Sequence, residues 1–217
     1  MDGRGELLTR LKKRFQLWIS YEAKLAHSVG LTPNRVSTMG IICALLSALL
    51  YWNSQFHQPT IIVATIFLLA SGFFDALDGA IARIYGEATT FGGFLDSMLD
   101  RYADAVVFCG IILGGLCDPI GPVGPVAGFT ALTGSLLVSY ARARAEAAGV
   151  KMEAVGFAER AERIIILAVA SLLGVVWREA LGWGIIILAI LTNLTVLQRV
   201  VYFRKSKKKE ISFRLSA

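Results

Sequence analysis

The chain has 217 residues, of which 55% are hydrophobic and 18% are charged, and its formal net charge is +6. Its mean hydropathy of +0.61 and its long apolar runs exclude a soluble globular protein, because the core helices of soluble proteins are shorter. No segment keeps the residue-by-residue alternation of a β-strand between turn signals. We therefore expect one domain of the all-α integral membrane class.

The first element in chain order is an N-terminal segment, residues 1–31, that carries too many charges for a cleavable signal peptide. Apolar residues recur there at helical spacing, opposite a basic face. The apolar positions are Leu7, Leu8, Leu11, Phe15, Trp18 and Ile19, and the basic positions are Arg10, Lys12, Lys13 and Arg14. This pattern predicts an amphipathic interfacial helix on an anionic membrane surface, and a solvated helix is the alternative.

Six apolar stretches follow within residues 32–203, and each is near or above the roughly 20 residues that cross a bilayer as a helix. They cover residues 34–51, 60–83, 91–117, 123–148, 157–177 and 182–203. We expect them to form a domain of six transmembrane helices. A basic tail, residues 204–217, comes after the last of these helices.

Basic residues set the orientation, because short cytoplasmic connections carry the excess of Lys and Arg. They occur before the first span, at Arg83 after the second, in residues 142–163 and in the tail, whereas the intervening connections carry almost none. Both termini are therefore predicted to be cytoplasmic in a multi-pass protein of the cell membrane. The lysines of the tail are expected to contact anionic lipid headgroups, and we expect no nucleic-acid partner.

Four acidic residues, Asp75, Asp78, Asp96 and Asp100, flank the connection between the second and third spans. A charge at membrane depth costs roughly 2.5 to 3.5 kcal/mol on insertion scales, so acids there serve a metal, a proton path or a substrate. Spacings of three and four residues place each pair on one helix face. Oxygen-only ligands favour Mg²⁺, Mn²⁺ or Ca²⁺, and His27 and His57 are too distant in sequence to be persuasive ligands.

The acids belong to the string D-x2-D-G-x2-A-R-x8-G-x3-D-x3-D, in which Asp75 is the first residue and Asp100 the last. This string resembles the signature of the CDP-alcohol phosphotransferase family at every fixed position. The resemblance implies that Asp75, Asp78 and Asp96 bind one divalent ion and that all four acids share a second. It implies Mg²⁺, with Mn²⁺ as an alternative, and it makes Asp100 the catalytic base.

The same resemblance assigns residues around the acids to a CDP-linked lipid. In the family, the Asp-Gly-x-x-Ala-Arg segment, the loop after it and the start of the first helix hold the cytidine diphosphate. The positions implied here are Asn34, Ser37, Gly79, Arg83 and Thr89. Helix packing and capping are the alternative roles of these residues.

Arginines in the second half of the chain resemble those of the inositol-phosphate branch of the family. By that resemblance Arg142, Arg144, Arg160 and Arg199 bind the phosphate of 1L-myo-inositol 1-phosphate. Several arginines beside a cytoplasmic cavity also favour an anionic acceptor on physical grounds. Glycerol 3-phosphate fits them equally well, and the positive-inside rule alone is a further explanation.

The sequence thus predicts an enzyme that transfers a phosphatidyl-type group, based on diacylglycerol or archaeol, to an inositol phosphate and releases CMP. The family resemblance also predicts a homodimer. We expect the protein to contact membrane lipids. A divalent-cation transporter with intramembrane acids is the distant alternative, and binding of CDP or CMP separates the two.

Overall fold

A computed structural model describes residues 17–54, 59–152 and 155–216. Within these ranges the elements are helical and no strand is present, as the all-α prediction requires. Helix α1 includes residues 17–28, and a single turn of 3₁₀ helix covers Asp118–Ile120. The others are α2 (Pro33–Asn53), α3 (Thr60–Tyr85), α4 (Thr90–Leu113), α5 (Val123–Ala147), α6 (Arg160–Gly174) and α7 (Ala180–Ser216).

Helices α2, α3, α5 and α7 are long and apolar enough to cross a membrane. Helix α4 is long enough but carries several charged residues, and α6 has 15 residues. At 1.5 Å per residue α6 is about 22 Å long, which is less than the roughly 30 Å hydrocarbon core. The fifth apolar stretch, 157–177, is therefore longer than its helix, and the count of six spans stays a prediction.

The connection between α3 and α4 is short and capped at both ends. Gly86 ends α3 in the left-handed region, at φ 66°, and its backbone N–H donates to the Ala82 carbonyl oxygen. Thr89 caps α4 by accepting a 2.9 Å hydrogen bond from the Gly92 backbone N–H. The end of α3 and the start of α4 are thereby placed side by side, which brings the two acid pairs to the same end of the helices.

The main apolar core lies between helices α2 to α7, and it contains Tyr51, Leu68, Phe108 and Leu188. Tyr51 is fully buried, and its hydroxyl forms a 2.8 Å hydrogen bond with the Ser171 hydroxyl of α6. This polar contact links α2 to α6 inside an apolar core, where an unmade hydrogen bond would be costly. It fixes the helices at the end opposite the acids.

Helix α1 packs against α2 and α3 through buried residues on one face. Ile19, Ala23 and Ala26 contact a cluster that includes Val36 and Ile81. The predicted apolar positions before residue 17 lie outside the described residues. The interfacial position of α1 stays a prediction.

Candidate metal and substrate site

Three carboxylates from α3 and α4 converge at one point. Asp75, Asp78 and Asp96 each offer an oxygen, and these oxygens lie within 4.8 Å of one another. Asp78 is buried, and the other two residues are partly buried. Several carboxylates this close repel one another unless a cation lies between them, and carboxylate oxygens are the ligands of hard divalent ions. The donor set therefore fits one divalent metal ion.

Ser37 on α2 holds one of these carboxylates in place. Its hydroxyl donates a 2.5 Å hydrogen bond to Oδ2 of Asp78 and also lies 3.1 Å from the Pro33 carbonyl oxygen. Ser37 was predicted to contact the CDP-linked lipid. The geometry gives it a contact with a candidate metal ligand as well, and a partner of this kind orients a ligating carboxylate.

Asp100 is one helical turn beyond Asp96 and contacts an arginine from another helix. Its Oδ1 lies 2.6 Å from Nη1 of Arg160 on α6, and the same nitrogen lies 2.8 Å from Oδ2 of Asp75. Arg101 Nη1 is 3.5 Å from the second Asp100 oxygen. Asp75 and Asp100 thus both connect the carboxylates to Arg160, in the second half of the chain.

A cavity of about 180 Å³ lies on one side of the acids and is here called the loop-side cavity. All five residues predicted to bind the CDP-linked lipid line it: Asn34, Ser37, Gly79, Arg83 and Thr89. Asp78 and Asp96 line it as well. The structure therefore brings residues of α2, α3, α4 and the α3–α4 loop around one space, as the prediction requires.

Gly79 allows Arg83 to lie against its own helix. A Cβ atom at Gly79 would be 3.1 Å from Nη1 of Arg83, which is tighter than ordinary contact. The guanidinium therefore lies beside the bare backbone of α3, in a cavity that Asp78 also lines. A planar guanidinium in this position is suited to bidentate contact with a phosphate group.

A second cavity, of about 250 Å³, lies on the other side of the acids and is here called the arginine cavity. Three of the four arginines predicted to bind the acceptor phosphate line it, namely Arg142, Arg160 and Arg199. Asp100 lines it too, so this cavity reaches the acid cluster. Arg144 is exposed and is not among its lining residues in the described part of the chain.

Arg142 and Arg199 differ in burial and in their hydrogen-bond partners. Arg142 is exposed and pairs with Glu146 at 2.9 Å, one turn further along α5. Arg199 is 2% exposed, and its guanidinium donates to the carbonyl oxygens of Val155 and Val138 at 2.9 and 2.5 Å. Arg199 therefore joins α7 to α5 and to the chain before α6, besides lining the cavity.

Asp104 also lines this cavity and was not assigned a role from the sequence. Asp104 accepts a hydrogen bond from Nη2 of the buried Arg163, and its other oxygen lies 3.7 Å from Nε of Arg160. Asp104 follows Asp100 by four residues, which continues the spacing of Asp96 and Asp100 along one face of α4. That continued spacing was the signal that would have identified it.

Carboxylates of α3 and α4 line both cavities. Asp78 and Asp96 face the loop-side cavity, and Asp100 and Asp104 face the arginine cavity. Asp96 and Asp100, which lie one helical turn apart on α4, therefore line different cavities. The acids supply metal ligands there and a carboxylate able to accept a proton.

Comparison with known families and sequences agrees with this geometry. The model of the CDP-alcohol phosphatidyltransferase family matches residues 30–201. The chain is 40% identical over 199 residues to the archaetidylinositol phosphate synthase of Pyrococcus horikoshii, covering 92% of this chain and 97% of the relative. It is 36% identical over 176 residues to the phosphatidylinositol phosphate synthase of Mycobacterium tuberculosis, covering 79% of each.

Solved structures give the same likeness. A crystal structure of Mycobacterium tuberculosis phosphatidylinositol phosphate synthase with CDP-DAG bound superposes with a TM-score of 0.74 at 32% identity. The match covers 85% of this chain and 92% of that one. A second structure of that enzyme, in complex with manganese and citrate, has the same TM-score at 31% identity and covers 88% of its chain.

Proposed function

The chain belongs to the CDP-alcohol phosphatidyltransferase family, and from this premise we propose that it transfers a phosphatidyl-type group from a CDP-linked lipid to an inositol phosphate, releasing CMP. It is an all-α, multi-pass membrane enzyme. The names of its relatives support the acceptor, since they are archaetidylinositol phosphate and phosphatidylinositol phosphate synthases.

One observation carries the proposal on the structural side, namely that two cavities of different chemistry flank one acid cluster. The loop-side cavity is lined by Arg83 and by two of the clustered acids, Asp78 and Asp96. A guanidinium beside carboxylates that bind a metal suits a diphosphate. The arginine cavity offers Arg142, Arg160 and Arg199, which suits a soluble phosphate monoester. The positive charges of these arginines favour an anionic acceptor over a neutral alcohol.

The carboxylates are the ligands of the divalent metal in this proposal. Asp75, Asp78 and Asp96 would hold one ion, and Asp100 would join them in holding a second. Mg²⁺ is the proposed metal, with Mn²⁺ as the alternative, because both prefer carboxylate oxygens. When bound, these ions supply positive charge that neutralises the diphosphate and stabilises the departing CMP.

The reaction proposed for the protein side chains is a single in-line displacement. Arg83, with Asn34 and Thr89, holds the CDP moiety, and Arg160 holds the phosphate of the acceptor. Asp100 takes the proton from the attacking hydroxyl, whose oxygen forms a bond to the lipid-side phosphorus. The bond between that phosphorus and the oxygen of CMP breaks, and CMP leaves with the electron pair.

The experiment that tests the function is a matrix of donors and acceptors with purified enzyme, measured by CMP release. CDP-diacylglycerol and CDP-archaeol are each combined with 1L-myo-inositol 1-phosphate, free inositol and glycerol 3-phosphate. We expect the inositol phosphate to have the highest kcat/KM with at least one donor. Preference for glycerol 3-phosphate would overturn the proposed acceptor, and the two donors distinguish an archaeol lipid from a diacylglycerol lipid.

The transporter alternative requires no nucleotide site. Binding of CDP or CMP to the purified protein in the presence of Mg²⁺ therefore supports the transferase. Mg²⁺ uptake by vesicles that hold the protein, without any nucleotide binding, would favour the transporter instead.

The membrane arrangement proposed with this function has six spans, α2 to α7, with both termini in the cytoplasm. Helix α1 lies at the interface, a position supported by exposed Leu17, Tyr21 and Leu25 at four-residue spacing on one face. The domain covers residues 32–203, and the homodimer follows from family resemblance. Labelling of single cysteines from each side of the membrane tests the orientation, and the mass of the detergent-solubilised protein tests the dimer.

A further inference from the structure

His27 lies in the last turn of α1 and contacts the connection between α3 and α4. Its ring stacks on the ring of Tyr85, the last residue of α3, with a centroid separation of 3.6 Å and an interplanar angle of 9°. Its Nε2 atom lies 3.0 Å from Oε1 of Glu87, in the loop that follows. His27 thus contacts both the last residue of α3 and the loop that follows it.

The loop that His27 contacts forms one wall of the loop-side cavity. Glu87, Ala88 and Thr89 line this cavity from the α3–α4 side, and Pro33 and Asn34 line it from the start of α2. The backbone N–H of Glu87 donates a hydrogen bond to the Ala82 carbonyl oxygen, which fixes the start of the loop against the end of α3. The side chain of Glu87 is then held by His27, 60 residues earlier in the chain.

The opposite wall of the loop-side cavity, formed by Pro33 and Asn34, is connected to the same end of α1. The Gly30 backbone N–H donates to the His27 carbonyl oxygen at 2.9 Å, and the Leu31 N–H donates to Ala26 at 3.1 Å. The turn from α1 into Pro33 and Asn34 is therefore short and closed by hydrogen bonds. His27 consequently lies where the two walls of the cavity are joined through α1.

We propose that His27 is a positioning residue for the CDP-linked lipid, acting by holding the α3–α4 loop, through Tyr85 and Glu87, in the conformation that closes the nucleotide cavity. The inference rests on the proposed function, because it assigns the loop-side cavity to the CDP moiety. A loop that is ordered before the ligand arrives avoids the entropy cost of ordering it on binding. Loss of His27 therefore weakens nucleotide binding and leaves the arginine cavity unchanged.

The test measures CDP binding by calorimetry in the presence of Mg²⁺, together with KM for the CDP-linked lipid and for the inositol phosphate. We expect His27→Ala to raise the dissociation constant of CDP, and KM for the lipid, by about 3- to 10-fold. The KM for the acceptor and kcat stay at the parent values. Lys24→Ala, an exposed change one turn earlier on α1, is the matched control and leaves all four quantities unchanged.

Two conservative variants separate the contacts. His27→Phe keeps a ring to stack on Tyr85 and removes the contact with Glu87, whereas His27→Gln keeps a hydrogen-bond donor and removes the ring. Each is expected to weaken CDP binding less than His27→Ala does. Glu87→Ala combined with His27→Ala is expected to weaken it no more than His27→Ala alone, since the two changes remove one shared contact.

The outcomes distinguish this inference from the function on which it rests. If the parent protein binds CDP and His27→Ala binds it equally well, the positioning role is overturned and the proposed function stands. If His27→Ala raises both KM values equally, α1 has a general structural role and the inference is wrong. If the parent protein binds no CDP at all, the proposed function fails and the inference fails with it.

Discussion

Arg160 on α6 contacts Asp100 on α4 directly, with 2.6 Å between Nη1 and Oδ1. The residue proposed to bind the acceptor phosphate therefore lies beside the residue proposed to take the proton from the acceptor hydroxyl. In an inositol phosphate the phosphate and the reacting hydroxyl belong to one small ring. The proximity of the two side chains is compatible with such an acceptor, whose phosphate and hydroxyl must be bound side by side.

The arginines of the second cavity are expected to differ in their effect on the acceptor. Arg160→Gln should raise KM for inositol phosphate roughly 10- to 150-fold, because loss of a charged hydrogen bond costs about 1.5 to 3 kcal/mol. Arg144→Gln, an exposed change on α5 that lies outside the lining residues in the described part of the chain, should change it less than about threefold. Steady-state kinetics with each substrate varied in turn gives both values.

Arg142→Gln is expected to behave like Arg160→Gln for the acceptor, with little change in KM for the CDP-linked lipid. Equal increases for both substrates would instead indicate a general folding defect. Saturation of the parent enzyme by free inositol as readily as by its phosphate would contradict a phosphate pocket.

Replacement of any one of the three clustered acids by asparagine should abolish turnover. Asp75→Asn, Asp78→Asn and Asp96→Asn keep the side-chain volume but remove ligand charge, so the metal is lost while the protein stays folded. CMP release at limiting Mg²⁺ measures turnover, and gel filtration in detergent verifies the fold. Chelation of the metal from the parent enzyme should give the same loss, restored by added Mg²⁺. Near-normal activity of any of the three variants would count against the assignment.

Ser37→Ala should raise the Mg²⁺ concentration needed for half-maximal activity. The change removes the 2.5 Å hydrogen bond to Asp78, and loss of a partner of this kind typically costs 10- to 100-fold in metal affinity, so we expect about a tenfold shift. Thr38→Ala is the matched control, because Thr38 is the exposed neighbour and its hydroxyl bonds only the Asn34 carbonyl among the described residues. An unchanged Mg²⁺ requirement in Ser37→Ala would show that Asp78 is held without the serine.

Asp104→Asn should destabilise the protein, because it leaves the buried Arg163 without its acidic partner. Breaking a buried ion pair costs about 3 to 5 kcal/mol, whereas replacing both partners by apolar residues is often neutral. The unfolding temperature in detergent should therefore fall in Asp104→Asn and recover in part in the double variant Asp104→Leu/Arg163→Leu. A single variant as stable as the parent protein would mean that the pair contributes nothing.

The stereochemical course of the reaction distinguishes direct transfer from a covalent intermediate. A CDP-linked lipid that is chiral at the lipid-side phosphorus should yield product with inverted configuration, as one in-line displacement requires. The configuration of the isolated product is the measurement. Retention would indicate two displacements and a lipid-phosphoryl enzyme, and Asp100 would then be the suspected nucleophile rather than the base.

The convergence of the three acids could be predicted from the sequence because it depends on short-range spacing. Asp75, Asp78 and Asp96 lie on two helices joined by a short capped loop, so their convergence follows from helix periodicity and one turn. The residues of the loop-side cavity were found by resemblance, and all five line one cavity.

The acceptor half could not be predicted as well, because it depends on how α4, α5, α6 and α7 cross. Arg142 and Arg144 are two residues apart on α5, and only the first lines the cavity among the described residues. Helix rotation, which a count of basic residues does not reveal, decides between them. The contact of Asp104 with Arg163 joins residues 59 apart in sequence, and nothing in the local pattern of either helix specifies that partner.

The two cavities draw their characteristic residues from different halves of the chain. The residues of the loop-side cavity come from the first half of the chain, and the arginines from the second. On the proposed assignment, substitutions in α5, α6 and α7 alter the acceptor cavity while the residues that hold the CDP moiety are retained. A single ancestral donor module could in this way give rise to lipids with different headgroups.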